Sequence, residues 1–356
     1  MSATSLKFKR ITGLVLSVFL LSTGLNACVM PSSPAIAAPG QISAAQNRYR
    51  KAAQYSEKNN GRAMVVMRSG QVVFESYYPG VNPERGRFLA SGTKSFSCAI
   101  ALLAVQDGLL SLDEPVANTI VGWRLHPQKS QITIRQLLNL TSGITGGESR
   151  TIPTYAEAIR APLTAAPGSR FQYGPIPFQI FGEVMRRKLE ARGMAGSPLT
   201  YLESRILQPI GLKYDRWTRG QDGHPRLPSG AVISAREWAK YGVLILNRGR
   251  WQGRQLLDSG LLNQCFQGST TNPAYGLTFW LNKPGSTHDG LPMRPIRAAS
   301  SSMVMAIGAG NQVMFILPEH NLVVVRLGRL DDETLPENEG GFDRETFLNL
   351  ILTGAN

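Results

Sequence analysis

Hydrophobic positions follow helical spacing over residues 42–58, then condense into the short run Met64-Val-Val-Met67. That change predicts a helix followed by a strand. Ser69-Gly70 is a turn signal, and residues 72–77 read as the returning strand of a hairpin spanning 63–78. A loop holding Pro79-Gly80 and Asn82-Pro83 leads to an apolar helical run that starts at Ser91 and ends near Asp107-Gly108. Residues 109–230 change character. Helical patches alternate there with Gly/Pro-rich loops, and strand signals are scarce. Short helices are predicted over 134–139 and 199–207. A longer one covers 178–191, with Phe181, Val184, Met185 and Leu189 on one face and its start fixed by Pro175 and Pro177. This stretch reads as a mostly helical insertion. Residues 234–247 form a helix with a serine cap and a glutamate three residues on. Strand signals return at 275–281, 303–308, 312–317 and 322–327, and a helix closes the pattern over 342–352. Strands at opposite ends of the chain, each beside helices, predict an α/β (α+β) fold. Its antiparallel sheet draws on both chain ends and is flanked by helices.

At 356 residues and 42% hydrophobic, the chain can bury a core of one large domain or two intimately joined ones. Charged residues are only 17%, which argues against wholesale disorder. The net charge of +14 would favour anionic lipid or polymer. Nucleic acid is a poor partner, because the Arg and Lys residues are scattered and no basic–aromatic run occurs. Three cysteines are too few for a disulfide scaffold or a cysteine-rich metal site. His126, His224, His288 and His320 are isolated, without the spacing of a catalytic zinc site.

Residues 1–27 read as a signal peptide: Lys7, Lys9 and Arg10 precede an apolar segment too short for a secure membrane span. Leu25-Asn-Ala-Cys28 resembles a lipobox, which would lipidate Cys28 and anchor the protein to the membrane. Ala35-Ile-Ala37 offers ordinary secretory cleavage instead. The lipobox is favoured because it abuts the apolar segment, and either route exports the protein. Residues 28–45, rich in Pro, Ser and Ala, read as a tether, and 46–354 as a single domain with the helical insertion at about 109–230.

The candidate chemistry begins with Ser91-Gly-Thr-Lys94. A serine hydroxyl is a poor nucleophile until a base takes its proton. A lysine three residues on lies almost one helical turn away, on the same face. Unpaired N–H groups at a helix start also favour nearby negative charge. Alone the spacing is weak, since chance supplies about one such match in a chain this long. Two further parts are needed. Tyr173, in a loop before a helix, could shuttle a proton if a lysine ammonium lowers its pKa. The small-residue stretch Ala306-Ile-Gly-Ala-Gly-Asn-Gln312 would let a ligand approach a strand edge.

With these parts the chain resembles the serine hydrolases that include class C β-lactamases, D-alanyl-D-alanine carboxypeptidases, β-lactamase-like esterases and 6-aminohexanoate-dimer hydrolases. The resemblance runs from about residue 63 to 327. It rests on Ser91-Gly-Thr-Lys94, Gly108-Leu-Leu-Ser-Leu-Asp-Glu-Pro-Val116, Ile132-Thr-Ile-Arg-Gln-Leu-Leu-Asn-Leu-Thr-Ser-Gly143, Phe171-Gln-Tyr173 with Phe181-Gly182, residues 229–242, and Tyr275-Gly-Leu-Thr-Phe-Trp280. Ala306-Ile-Gly308 falls on the family's third motif. The resemblance implies the penicillin-binding-protein transpeptidase-like fold and an acyl-enzyme mechanism without metal or cofactor. Ser91 would attack a carbonyl, Lys94 and Tyr173 would move its proton, and the backbone N–H groups of Ser91 and Ala309 would form the oxyanion hole.

Two positions depart from the family. Pro175 replaces the asparagine of Y-x-N, and Ala306 replaces the Lys or His of the third motif. Both oppose efficient β-lactam hydrolysis and oppose ester or amide hydrolysis less. Arg294 or Arg297 could supply the missing charge, but an exposed basic loop is the favoured reading there. The expected function is therefore an exported serine esterase or amidase. The alternatives are a D,D-carboxypeptidase or β-lactamase acting on peptidoglycan or β-lactams, and a non-catalytic cell-envelope binding protein. Cys98 reads as a buried packing residue, with a Cys98–Cys265 disulfide as the other possibility.

Overall fold

A computed structural model describes residues 43–148, 151–330 and 341–355. The signal peptide, Cys28 and the tether up to residue 42 lie outside the described residues. Ser43 caps helix α1 (Ala44–Lys58) by accepting from Gln46 N. A hairpin follows, β1 (Gly61–Arg68) and β2 (Gln71–Tyr77). Met64, Val65 and Val66 in β1 are fully buried, as expected of a continuous apolar run in a sheet interior.

The main sheet is completed by β3 (Trp280–Leu281), β4 (Val304–Gly308), β5 (Gln312–Leu317) and β6 (Leu322–Gly328). Its order is β2-β1-β6-β5-β4-β3, and every pair is antiparallel. The N-terminal hairpin thus meets the C-terminal strands at β1–β6, where Val65 faces Val325. The expectation for 275–281 is corrected: only Trp280–Leu281 is a strand, and Tyr275 forms an isolated antiparallel bridge to Trp280. Thr278 adopts φ 75° and the preceding amides close local bonds, such as Gly276 N to Phe279 O at 2.9 Å. The segment is therefore a turned loop.

Helices cover both faces of the sheet. Gly242 brings α4 (Ala235–Leu246) onto Met314 and Val323, whereas Phe315 packs against Phe347 of α5 (Arg344–Leu352) with the rings tilted. Met314 and Phe315 are neighbours in β5, so their side chains leave opposite faces. Two further helices carry the argument, α2 (Ser95–Gln106) and α3 (Ile176–Glu190). In α2 every residue from Ser95 to Ala104 is buried, so this helix is enclosed on all sides rather than amphipathic. The region 109–230 is largely helical and irregular, with one short strand, Arg216–Trp217, joined to Ala231–Ile233.

Candidate active site

The turn that carries Ser91 is a 3-10 turn, Ala90–Lys94, running directly into α2. Its entry is strained, because Ala90 holds φ 46° while buried. Surrounding elements hold it there. Leu89 N donates to Ala231 O at 2.9 Å, Ala231 N donates to Thr93 Oγ1 at 3.2 Å, and the Tyr241 hydroxyl of α4 donates to Ser95 O at 2.8 Å.

Lys94 Nζ lies 2.9 Å from Ser91 Oγ and 3.2 Å from Pro228 O. The side chain is 3% exposed, and its amine sits 4.9 Å from the Tyr173 ring and 5.5 Å from the Phe178 ring. No carboxylate pairs with it among the described residues. Burial pushes its pKa down to about 7. An amine in that state is able to accept the hydroxyl proton at neutral pH.

Tyr173 reaches this amine from the loop before α3, and a second loop supports it. Gln172 N donates to Leu140 O at 2.9 Å and Ile176 N to Gly146 O at 3.2 Å. The two loops pass so close that a side chain on Gly146 would strike Tyr173 O and one on Gly174 would strike Gly146 O. The Ile132–Gly143 segment thus acts by buttressing the tyrosine loop. The Tyr173 ring stacks on Trp280 at 5.6 Å and meets Tyr275 and His288 edge-on at 6.0 and 5.9 Å.

Strand β4 closes the other side. Gly308 lies against the Ser91 turn, where an added Cβ would come within 2.9 Å of Gly92 N and 3.1 Å of Ser91 N and would strike Leu89 O. Only glycine lets the strand edge approach this closely. The cavity so formed holds about 270 Å³, with Ser91, Tyr173, Trp280, Gly308 and Ala309 on its wall. The structure brings Ser91, Lys94, Tyr173, Gly308 and Ala309 together. Ala306 is different: it is 2% exposed, pairs with Met314, and does not line the cavity. Pro175 is buried at the start of α3 and also lies off the wall.

Arg294 and Arg297 belong to an exposed loop, the favoured reading from the sequence, and do not supply the missing charge. Neither lines the cavity, and Arg297 is exposed and faces Glu345 at 3.9 Å. Arg344, at the start of α5, does line it, together with His288, Asp289 and Asn311. Sequence reasoning placed Asn311 only within the Ala306–Gln312 stretch and missed the site role of the other three. Arg344 sits in Asp343-Arg-Glu-Thr346, which reads as an ordinary helix cap, and no spacing links it to Ser91. Cys98 is not a free packing thiol. It is bonded to Cys265, with Cα atoms 6.3 Å apart.

An antiparallel sheet fed by both chain ends, with an S-x-x-K turn backed by a strand edge, defines the β-lactamase and penicillin-binding-protein class of fold. A family model described as Beta-lactamase matches residues 48–340, and the chain belongs to that family of hydrolases. It is 27% identical over 203 residues to the D-alanyl-D-alanine-carboxypeptidase/endopeptidase AmpH of Escherichia coli K12, covering 51% of each chain. The chain thus spans about half the length of the curated relatives it matches. Among solved structures it resembles a Bacillus anthracis protein assigned as a 6-aminohexanoate-dimer hydrolase. That match has a TM-score of 0.64 and 20% identity and covers 81% of this chain and 77% of that one. It also resembles a penicillin-binding protein homologue from Caulobacter crescentus, with a TM-score of 0.63, 16% identity, and 85% and 96% covered.

Proposed function

We propose that the protein is an exported serine hydrolase that opens an ester or amide through an acyl-enzyme on Ser91. The observation that carries the reading is the Lys94 amine, desolvated, without a carboxylate partner among the described residues and 2.9 Å from Ser91 Oγ. In the proposed first step, Oγ bonds to the carbonyl carbon as its proton passes to Lys94. The carbonyl oxygen takes up negative charge against the N–H groups of Ser91 and Ala309. As the carbonyl re-forms, the bond to the leaving group breaks, and Tyr173 gives its hydroxyl proton to that group and takes up the one held by Lys94. Water then reverses the sequence and frees the acid. The reading includes one hydrolase domain with residues 109–230 as its helical insertion. Export and anchoring at Cys28 belong to it on the strength of the leader sequence alone.

The test is labelling of purified protein by a fluorophosphonate, beside Ser91→Ala and Tyr173→Phe. Wild type is expected to label at one site, Ser91→Ala not at all, and Tyr173→Phe about 10²-fold more slowly. Equal labelling of Ser91→Ala would end the assignment.

Gly308→Ala provides a separate check on the oxyanion side. Its methyl group would push β4 away from the Ser91 turn, so turnover of a p-nitrophenyl ester is expected to fall by on the order of 10²-fold. Turnover within twofold of wild type would show that the strand edge takes no part.

A second reading, a D,D-carboxypeptidase, draws on the AmpH relative. Pro175 and Ala306 weigh against it, since neither offers a polar side chain where the family carries one. Covalent labelling by a fluorescent penicillin would favour it.

A further inference from the structure

Arg326 lies in β6, between Met64 of β1 and Val313 of β5, and is only 1% exposed. A buried guanidinium is costly unless its N–H groups find acceptors. Nε donates to Ser56 Oγ of α1 at 3.2 Å, and Nη2 donates to Asn59 O at 2.5 Å. Nη1 donates to Gly310 O at 3.2 Å and to Asn311 O at 2.8 Å. Phe342 covers the planar face, its ring centroid 4.0 Å from Cζ.

The two acceptors of Nη1 belong to the turn that carries Ala309. The β4–β5 ladder ends at Gly308 and Gln312, so Ala309, Gly310 and Asn311 form a three-residue turn beyond it. Gly310 and Asn311 both take left-handed backbone, at φ 77° and 50°. That conformation costs energy at a residue with a side chain and persists where the surroundings fix it. Arg326 fixes it from behind the cavity wall. Gln312 adds a second hold: fully buried, it accepts from Gly328 N at 3.0 Å and donates to Gly328 O at 3.2 Å. Gly328 makes room for the turn, since a Cβ there would strike Gly310 O. Ala309, Gly310 and Asn311 line the cavity; Arg326 does not.

We propose that Arg326 is the positioning residue of the oxyanion hole: by clasping the carbonyls of Gly310 and Asn311, it sets where the Ala309 N–H points. That N–H belongs to the peptide plane between Gly308 and Ala309. Contact with the Ser91 turn holds this plane at Gly308, and the clasped turn holds it from the other end. A donor serves the transition state only when held within about 0.5 Å of its place, so a residue behind the wall acts on the reaction through Ala309. This inference rests on the acyl-enzyme reading above.

The test sets p-nitrophenyl acetate against O-p-nitrophenyl thionoacetate, in which sulfur replaces the carbonyl oxygen. Preorganised N–H donors favour a developing oxyanion over the larger, weakly accepting sulfur. Wild type is expected to prefer the oxygen ester by about 10²-fold or more in kcat/KM, beyond the preference of hydroxide in solution. Arg326→Met should bring that preference down about tenfold. Arg326→Lys, which keeps a donor but loses the fork, should fall between the two. Leu350→Ala, in the buried face of α5 and off the cavity wall, should unfold at lower urea and keep the wild-type preference. Each preference is a ratio within one preparation, so loss of folded protein cancels. Where Arg326→Met does not accumulate as folded protein, Arg326→Lys decides. A preference within twofold of wild type in the Arg326 variant, or an equal loss in Leu350→Ala, overturns the inference while the hydrolase reading stands. A wild type without any oxygen preference overturns it together with the role of Ala309. Absence of turnover for both esters, with no fluorophosphonate labelling of Ser91, overturns the hydrolase reading as well.

Discussion

Replacing Lys94 by methionine is expected to slow acylation of Ser91 by about 10²–10⁴-fold and, in the same protein, to stabilise the fold. The first effect follows from losing the base that lies 2.9 Å from Ser91 Oγ. The second follows from burial. The folded-state pKa of Lys94 lies at about 7, against 10.5 for a free lysine. Below pH 7 the amine is charged in both states, and the folded state bears its full desolvation. Between pH 7 and 10.5 the unfolded chain holds a proton that the folded one has shed, so stability rises with pH through that window. Above it both forms are neutral and the penalty is gone. The gain from Lys94→Met is therefore greatest at and below pH 6, on the order of 4 kcal/mol, and fades toward pH 10. Urea unfolding of both proteins at pH 6 and pH 10, beside the rate of fluorophosphonate labelling, measures the two effects. Wild-type labelling should itself rise with pH and level off above about 7. Equal stability of the two proteins at pH 6 would show that the amine is not desolvated as described. A residue that destabilises its own fold while touching the nucleophile is the pattern expected of a site kept for chemistry.

What the sequence disclosed depended on how local each feature was. Ser91 and Lys94 were legible because one helical turn relates them, and the pairing of the N-terminal hairpin with the last strands followed from where the apolar runs lie. Tyr173 was legible only through the family resemblance. Its place depends on the crossing of Gly146 and Gly174, a close approach that no periodicity reports. The loop at 275–281 misled because Tyr, Phe and Trp have strand propensity, whereas Thr278 takes a left-handed backbone conformation that its branched side chain does not announce. Arg344 was hidden by its surroundings: a cap, an acid and a hydroxyl make it look like any helix start, and only the return of α5 brings it to the cavity.

The Cys98–Cys265 bond was named from the sequence only as the less favoured reading, since its partners are separated by 167 residues and no local pattern links them. Its loss carries the other large expected effect. Cys98 lies within α2, and Cys265 follows the helix Ser259–Gln264. Cys265 O accepts from Leu277 N at 3.1 Å. The cross-link therefore fastens the nucleophile's helix to the loop that carries Tyr275 and Trp280. Breaking it is expected to destabilise the protein by about 2–5 kcal/mol, through the freedom returned to a long loop in the unfolded chain. Three variants separate this from simple packing: Cys98→Ala, Cys265→Ala and the double. If the sulfurs act as one bond, either single change breaks it, and all three should lie within about 1 kcal/mol of one another in urea unfolding. If the two side chains acted as independent packing atoms, both being fully buried, the single losses would instead add in the double variant. The same bond bears on location, because such a cross-link persists in oxidising compartments and is rare where thiols are kept reduced. Protein recovered from the cell envelope should show no free thiol at Cys98 or Cys265 after unfolding, whereas recovery of both as free thiols would count against export.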